Sequence, residues 1–227
     1  MTEPQTMYDE TAPDIDIRAI TEADRIRERE KQAKYQRELM ISRFSKLCPP
    51  LYQESDESRF PPEWERIKSW QYGPKGMMLV GPTRTCKSRM AWQVVRKAFM
   101  SGKSVMAYDG MGWGTAVSHS FKDPSLTCEW LDKIGSVDLL FLDDLFKRSL
   151  TDVQVEGIFA VFERRAANML PIICTQNATS QMIREMMKAG DGKAADLFEP
   201  LMQRMKEFCE VIVVKSNDNA QFLNEVK

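Results

Sequence analysis

Three short stretches hold residues whose types and spacing could do chemistry. Residues 81–88 read GPTRTCKS, which meets the phosphate-loop pattern G-x-x-x-x-G-K-[ST] at Gly81, Lys87 and Ser88 but carries Cys86 where the second glycine belongs. In such a loop, backbone N–H groups at a helix N-terminus cradle phosphate oxygens, the lysine reaches the outer phosphates, and the hydroxyl joins Mg2+. The expected nucleotide contacts are therefore Gly81, Pro82, Thr83, Arg84, Thr85, Cys86, Lys87 and Ser88. The second stretch, VDLLFLDDLFK, ends an apolar run on Asp143 and Asp144. Paired carboxylates at a strand end suit a metal-nucleotide enzyme, the first orienting the metal's ligand shell and the second polarising an attacking water. They could equally cap the next helix. The third, PIICTQNAT, places Asn177 just after another apolar run. There an amide could hold the water or an outer phosphate, or simply turn the chain.

To act together, each stretch must sit at the end of a strand. Short apolar runs occur at 77–80, 104–108, 138–142, 171–175 and 210–214, with helix-compatible sequence such as SRMAWQVVRKAFM and DVQVEGIFAVFERRAAN between them. Near-continuous apolar strands alternating with helices predict an α/β fold, a five-stranded parallel sheet covered by helices on both faces. GPTRTCKS then lies between the first strand and the helix after it, the context its motif requires. The altered loop has a physical cost. Glycine precedes the lysine because the tight turn needs backbone conformations that other residues adopt at a cost of about 1–3 kcal/mol. Were all of that to reach binding, affinity would fall by roughly 5- to 150-fold. Weakening rather than loss is expected, and bound phosphate should shield the Cys86 thiol.

Upstream, residues 1–20 are acidic, with two prolines, and are expected to be poorly ordered. Residues 21–47 lack Pro and Gly and predict a charged helix, with Thr21 as its N-cap and Ile26, Ala33, Met40 and Leu47 in a narrow apolar stripe. Such a helix either stands solvated or lies against a partner. Residues 48–61, rich in Pro and Ser, read as a linker, and 62–227 as the nucleotide-binding domain.

Composition narrows the class of function. With 43% hydrophobic and 29% charged residues, the chain is of ordinary globular make-up. Its net charge of −1 means that any polyanion must meet a local patch or an oligomer that aligns several. No apolar run approaches the roughly 18 residues of a membrane span, and the N-terminus lacks the order of a secretory signal, so a cytoplasmic location is expected. Cys48, Cys86, Cys128, Cys174 and Cys209 are scattered and His119 is the lone histidine, which argues against structural zinc and for free thiols.

The loop, the Asp-Asp strand and the Asn-bearing strand, followed by LFEPLMQRM and EVIVV, resemble the AAA+ ATPases of the initiator clade. Within it the chain is most similar to the DnaC/IstB-like helicase loaders and transposition helpers. DLLFLDDLFK…FERRAANMLPIICTQN, in which Arg165 ends the helix before the Asn-bearing strand, carries most of the likeness, and the resemblance spans residues 60–214. It implies a P-loop fold, ATP and Mg2+ as cofactors, Ser88 and Asp143 at the metal, Asp144 as the catalytic carboxylate and Asn177 as its sensor. Arg204, in LMQRMKEF, stands where that family completes a neighbouring subunit's site within a homo-oligomer, and Arg165 is a second candidate for that task. The implied partners are single-stranded DNA and a replicative DNA helicase held by the N-terminal helix. A transposition helper would instead meet duplex DNA and a transposase, and a third reading is a nucleotide-sensing module that hydrolyses little. Arg84 and Cys86 depart from the family's glycines, Asp144 from its commoner glutamate, and the residues after EVIVV imply a helical lid that is reduced or absent.

Two other stretches invite functional readings. DGMGWG (109–114) has the look of a glycine-rich dinucleotide loop, but its spacing is wrong. It could instead be a surface loop carrying Trp113, close to Phe121, to stack on bases. Trp64, Ile67 and Trp70 could wall an adenine pocket or belong to the core.

Overall fold

In the computed structural model, residues 17–146, 150–177, 181 and 193–215 are described. The chain divides into two units, Met1–Ser42 and Arg43–Lys227. The first is occupied by most of helix α1 (Ile17–Leu47). Ile26 and Tyr35 on it are exposed, and Glu22–Arg25, Asp24–Arg27 and Glu28–Lys31 pair along its surface one turn apart. The helix begins before Thr21, which lies inside it and does not cap it.

The second unit starts with the end of α1, where Phe44 is buried, and continues into α2 (Pro50–Gln53), a 3-10 turn (Glu57–Arg59) and α3 (Trp64–Lys68). The segment predicted as a linker is fastened to the domain. Gln93 Nε2 donates to the Tyr52 carbonyl at 3.3 Å, and Gln53 Nε2 donates back to Ser45 and Cys48 at 2.9 and 2.8 Å. Five parallel strands follow: β1 (Gly76–Val80), β2 (Val105–Asp109), β3 (Leu139–Asp143), β4 (Ile172–Gln176) and β5 (Cys209–Val213), in the order β2-β3-β4-β1-β5. Helices α4 (Lys87–Met100), α5 (Gly110–Ser120), α6 (Pro124–Ser136), α7 (Asp152–Ala167) and α8 (Lys193–Phe208) connect them.

Strand side chains alternate between faces, so each strand feeds two cores. Met77, Leu79, Phe141 and Ile173 meet α4 through Met90, Ala91, Val94 and Val95. Met78, Leu140, Leu142 and Cys174 meet α5–α8 through Trp113, Ile134, Ile158, Phe162 and Met205. Trp64 and Ile67 are buried in the α4-side core with Trp70 packed against it, so the core reading of these residues is the right one.

The DGMGWG stretch is a helix, neither a nucleotide loop nor a surface loop. Asp109 caps α5 by accepting from Gly112 N at 2.6 Å, and Trp113 is fully buried, its ring edge-on to Tyr108 at 5.9 Å and tilted against Trp130 at 5.4 Å. Trp113 therefore cannot stack on a base. The glycines are explained in part by packing: a Cβ on Gly110 would lie 2.5 Å from the Asp144 carbonyl oxygen. This sequence bends α5 close beneath the end of β3, where the paired carboxylates sit.

Candidate nucleotide-binding site

The loop leaves β1 at Gly81, whose N–H donates to the Gln176 carbonyl at 3.3 Å. Only glycine fits there, because a Cβ would stand 2.1 Å from the Val214 carbonyl oxygen. Pro82, Thr83 and Arg84 form an exposed lip, and Thr85 turns inward. Thr85 Oγ1 donates to the Pro82 carbonyl at 3.0 Å and accepts from Lys87 Nζ at 3.1 Å, while Lys87 also donates to Pro82 O at 2.6 Å. Arg84 and Cys86 take left-handed backbone conformations, with φ of 67° and 61°. These are the two positions whose glycines are missing, and the chain adopts the glycine geometry without glycine. Cys86 ends the loop, its carbonyl accepting the first helical bond of α4 from Met90 N at 2.9 Å.

Lys87 is buried, and among the described residues it makes no ion pair within 4.0 Å. Burial holds its ammonium below the usual lysine range, against the pull of Asp144 and Asp143. A buried cation satisfied only by neutral oxygens is ready to receive an anion.

The carboxylates lie across the end of β4, which separates β1 from β3. Ser88 Oγ donates to Asp143 Oδ1 at 2.7 Å, joining the start of α4 to the end of β3. Burial pushes the Asp143 carboxyl above its usual range; the hydroxyl bonds from Thr175 and Ser88 oppose this and the charges of Asp144 and Asp109 add to it. Asp144 follows in a left-handed conformation, φ 53°, and its Oδ1 accepts from Asn177 Nδ2 at 2.8 Å. Ser88 and Asp143 offer the hard oxygen donors that Mg2+ prefers. Among the described residues no three His, Cys, Asp or Glu side chains form a metal site of their own. A divalent ion here would need further oxygens, such as those of phosphate, and the residues present fit that arrangement.

No protein-family profile matches the chain, and no curated protein matches it by sequence. Solved structures do match by shape. AMPPCP-bound DnaA from Aquifex aeolicus superposes with a TM-score of 0.57 at 19% identity, covering 78% of this chain and 53% of that one. A replication initiator DnaA bound to AMPPCP and single-stranded DNA gives 0.53 at 18%, covering 70% and 46%. The DnaC helicase loader gives 0.52 at 20%, covering 76% of this chain and 99% of that one. The fold is the one that these DnaA and DnaC structures share, a five-stranded parallel sheet flanked by helices. This chain spans about half the length of the DnaA structures it matches.

Within this fold, the residues from Gly81 to Ser88 gather with Asp143, Asp144 and Asn177 around the carboxyl ends of β1, β3 and β4. Two arginines stand apart. Arg165 is fully buried at the other end of the sheet, where its guanidinium donates to the carbonyls of Ile134, Val137, Asp138 and Pro171 at 2.6, 2.9, 3.1 and 2.8 Å. It is a clamp inside the fold and cannot reach a neighbouring subunit. Arg204, on α8, is partly exposed and pairs with Glu163 of α7 and with Glu207 at 3.0 Å.

Two residues at the site escaped the sequence reading. Tyr52, from the segment predicted as a linker, lies near enough to the carboxylates that the Asp143 charge adds to burial in raising its pKa. No local pattern marks it, since its place depends on how α2 docks on α4. Thr175 stands between the two carboxylates, donating to Asp143 Oδ1 at 2.6 Å and accepting from Asp144 N at 2.9 Å. Its signal was a polar residue inside an otherwise apolar strand, two positions before Asn177. Residues 178–180, 182–192 and 216–227, with any lid after β5, lie outside the described residues.

Proposed function

We propose that the chain binds ATP with Mg2+ and acts as a helicase-loader-like AAA+ ATPase. One observation carries the reading: a buried lysine, with no ion pair among the described residues, feels the charges of two clustered carboxylates beside a loop that opens a helix. A polyphosphate with a divalent ion satisfies both charges at once.

In this reading Lys87 gives up its bonds to Pro82 and Thr85 and holds the outer phosphate oxygens. Backbone N–H groups of the loop and of the first turn of α4 hold the others. Ser88 and Asp143 hold Mg2+, and the bound ion and nucleotide supply charge neutralisation and the phosphoryl group. Asp144 accepts the proton of an attacking water, and Asn177 keeps the carboxylate oriented through its amide. Arg204 completes a neighbour's site in a homo-oligomer, exchanging Glu163 and Glu207 for phosphate charge. Strain at Arg84 and Cys86 makes the isolated subunit slow. The partners are single-stranded DNA and a replicative helicase, the latter held by the residues up to Ser42, whose exposed helix offers Ile26 and Tyr35. The supporting likenesses are to a DnaC helicase loader and to a DnaA bound to single-stranded DNA.

Equilibrium titration with a fluorescent ATP analogue tests the core of this. A Mg2+-dependent signal that disappears in Lys87→Ala is the expected result. No such signal from the intact protein at millimolar nucleotide sinks the proposal. Co-purification of a helicase from host lysate, with and without ATP, tests the loader role separately.

A further inference from the structure

The geometry points to Thr175 as the positioning residue of the metal-and-nucleotide site, a role that rests on the ATP reading above. One hydroxyl serves both carboxylate residues. Its hydrogen is given to Asp143 Oδ1 at 2.6 Å, and its lone pair receives the Asp144 N–H at 2.9 Å. The same residue's backbone carbonyl accepts Leu145 N at 3.1 Å. Thr175 is fully buried in β4, so its side chain has a single setting and no water competes for it.

These three bonds fix what the strand end would otherwise leave loose. Asp144 sits at φ 53°, a conformation that a residue with a Cβ holds only when its surroundings impose it. Thr175 imposes it, by taking the N–H of Asp144 and the N–H of the next residue. That backbone setting is what lets Asp144 meet Asn177, two positions along β4 from Thr175.

On the other carboxylate, Asp143 Oδ1 holds two hydroxyl donors, Ser88 and Thr175. Ser88 is the one at the start of α4 whose oxygen would turn to the ion. Thr175 then remains to hold the carboxylate in place. Partners that orient a metal ligand typically change metal affinity by about 10- to 100-fold when removed. Valine copies the shape of threonine without its hydroxyl, so Thr175→Val removes both side-chain bonds and leaves their partners without that hydroxyl.

The test measures binding of a fluorescent ATP analogue by the full chain across a Mg2+ titration. Wild type, Thr175→Val and Thr175→Ser are compared, with thermal melts alongside. Thr175→Val is expected to need about 10 to 100 times more Mg2+ for half-maximal binding. Thr175→Ser should restore the wild-type requirement, and affinity measured without Mg2+ should stay within about twofold in all three. A purely structural role gives another pattern, with serine failing to rescue and both affinities falling together with Tm. That pattern, or a Thr175→Val curve matching wild type, overturns the assignment while leaving ATP binding intact. Absence of binding by wild type overturns the ATP reading and this assignment with it. Should the valine variant not fold, Thr175→Ala against Thr175→Ser makes the same comparison.

Discussion

Asn177 donates its Nδ2–H to Asp144 Oδ1 at 2.8 Å, from the residue just past β4 to the one just past β3. The pair joins adjacent strands at their carboxyl ends and sets the direction of the Asp144 carboxylate. Asn177 thus acts on the proposed water through Asp144, and its loss should spare nucleotide binding. Asn177→Ala is expected to leave affinity for an ATP analogue within about twofold and to reduce turnover by roughly 10- to 100-fold. Asp144→Asn should reduce it further, by about 100-fold or more, as for removal of a general base. Steady-state kinetics beside equilibrium binding decide the matter, and a loss of affinity equal to the loss of turnover would contradict these roles.

Asp143 carries a cost that its proposed role explains. Its half-buried carboxyl titrates above the usual range, so between the unfolded value and the raised one the folded protein binds more protons than the unfolded chain. Nucleotide-free stability therefore falls as pH rises through that window. Asp143→Asn keeps an oxygen to accept from Ser88 and Thr175 but removes the charge. It should melt higher than wild type near neutral pH without ligand, lose the pH dependence that begins above 3.8, and lose Mg2+-dependent nucleotide binding. Thermal melts from acid to neutral pH check this; a variant less stable than wild type at neutral pH refutes it.

How much of this was legible in the sequence divides along physical lines. The five strands and the loop between β1 and α4 showed because their signals are local: apolar runs of strand length, and a Gly-to-Lys-Ser spacing that demands a strand before it and a helix after it. DGMGWG misled because glycine suggests loops, whereas here Asp109 caps a helix and Gly110 gives room to the Asp144 carbonyl. Arg165 misled because its position along the chain cannot reveal that four carbonyls converge on it. Thr175 and Tyr52 belong to the site through strand order and helix docking, which are long-range facts.

Cys86 offers two experiments with opposite signs. Its left-handed backbone costs about 1–2 kcal/mol, while glycine there would lose about 0.4–1 kcal/mol through a looser unfolded chain. Cys86→Gly should therefore raise Tm slightly, by roughly 2 °C for a domain of this size, and tighten ATP-analogue binding. Alkylation works in reverse, placing bulk where the phosphates would lie. Cys86 and Cys128 have the accessible thiols among the five cysteines, so in a Cys128→Ser background alkylation should abolish binding, and prior ATP should slow labelling. Labelling at equal rates with and without ATP, followed by mass spectrometry, would count against the site's placement.

Arg165 and Arg204 separate a residue that holds the fold from one that could serve a neighbour. Burial pushes the Arg165 guanidinium down to about 10, still charged at neutral pH, and its four carbonyl bonds are its compensation. Arg165→Met would strip the guanidinium bonds from all four carbonyls, of which Pro171 keeps the Leu140 N–H and Asp138 the Tyr72 hydroxyl, a loss on the order of 3 kcal/mol. Lysine should rescue poorly, because one ammonium cannot reproduce a planar fork aimed at four oxygens. Arg204 faces solvent, and its pairs with Glu163 and Glu207 are of the surface kind that contribute little to stability. Arg204→Ala is thus expected to melt and bind nucleotide like wild type, yet to lose the turnover that the proposed assembly on single-stranded DNA would give. Mixing settles the direction of the effect. If Arg204 acts across an interface, adding Arg204→Ala subunits to Asp144→Asn subunits should recover activity that neither has alone, since one supplies the arginine and the other receives it. Recovery absent at every mixing ratio, with assembly verified by light scattering, rules out the shared site.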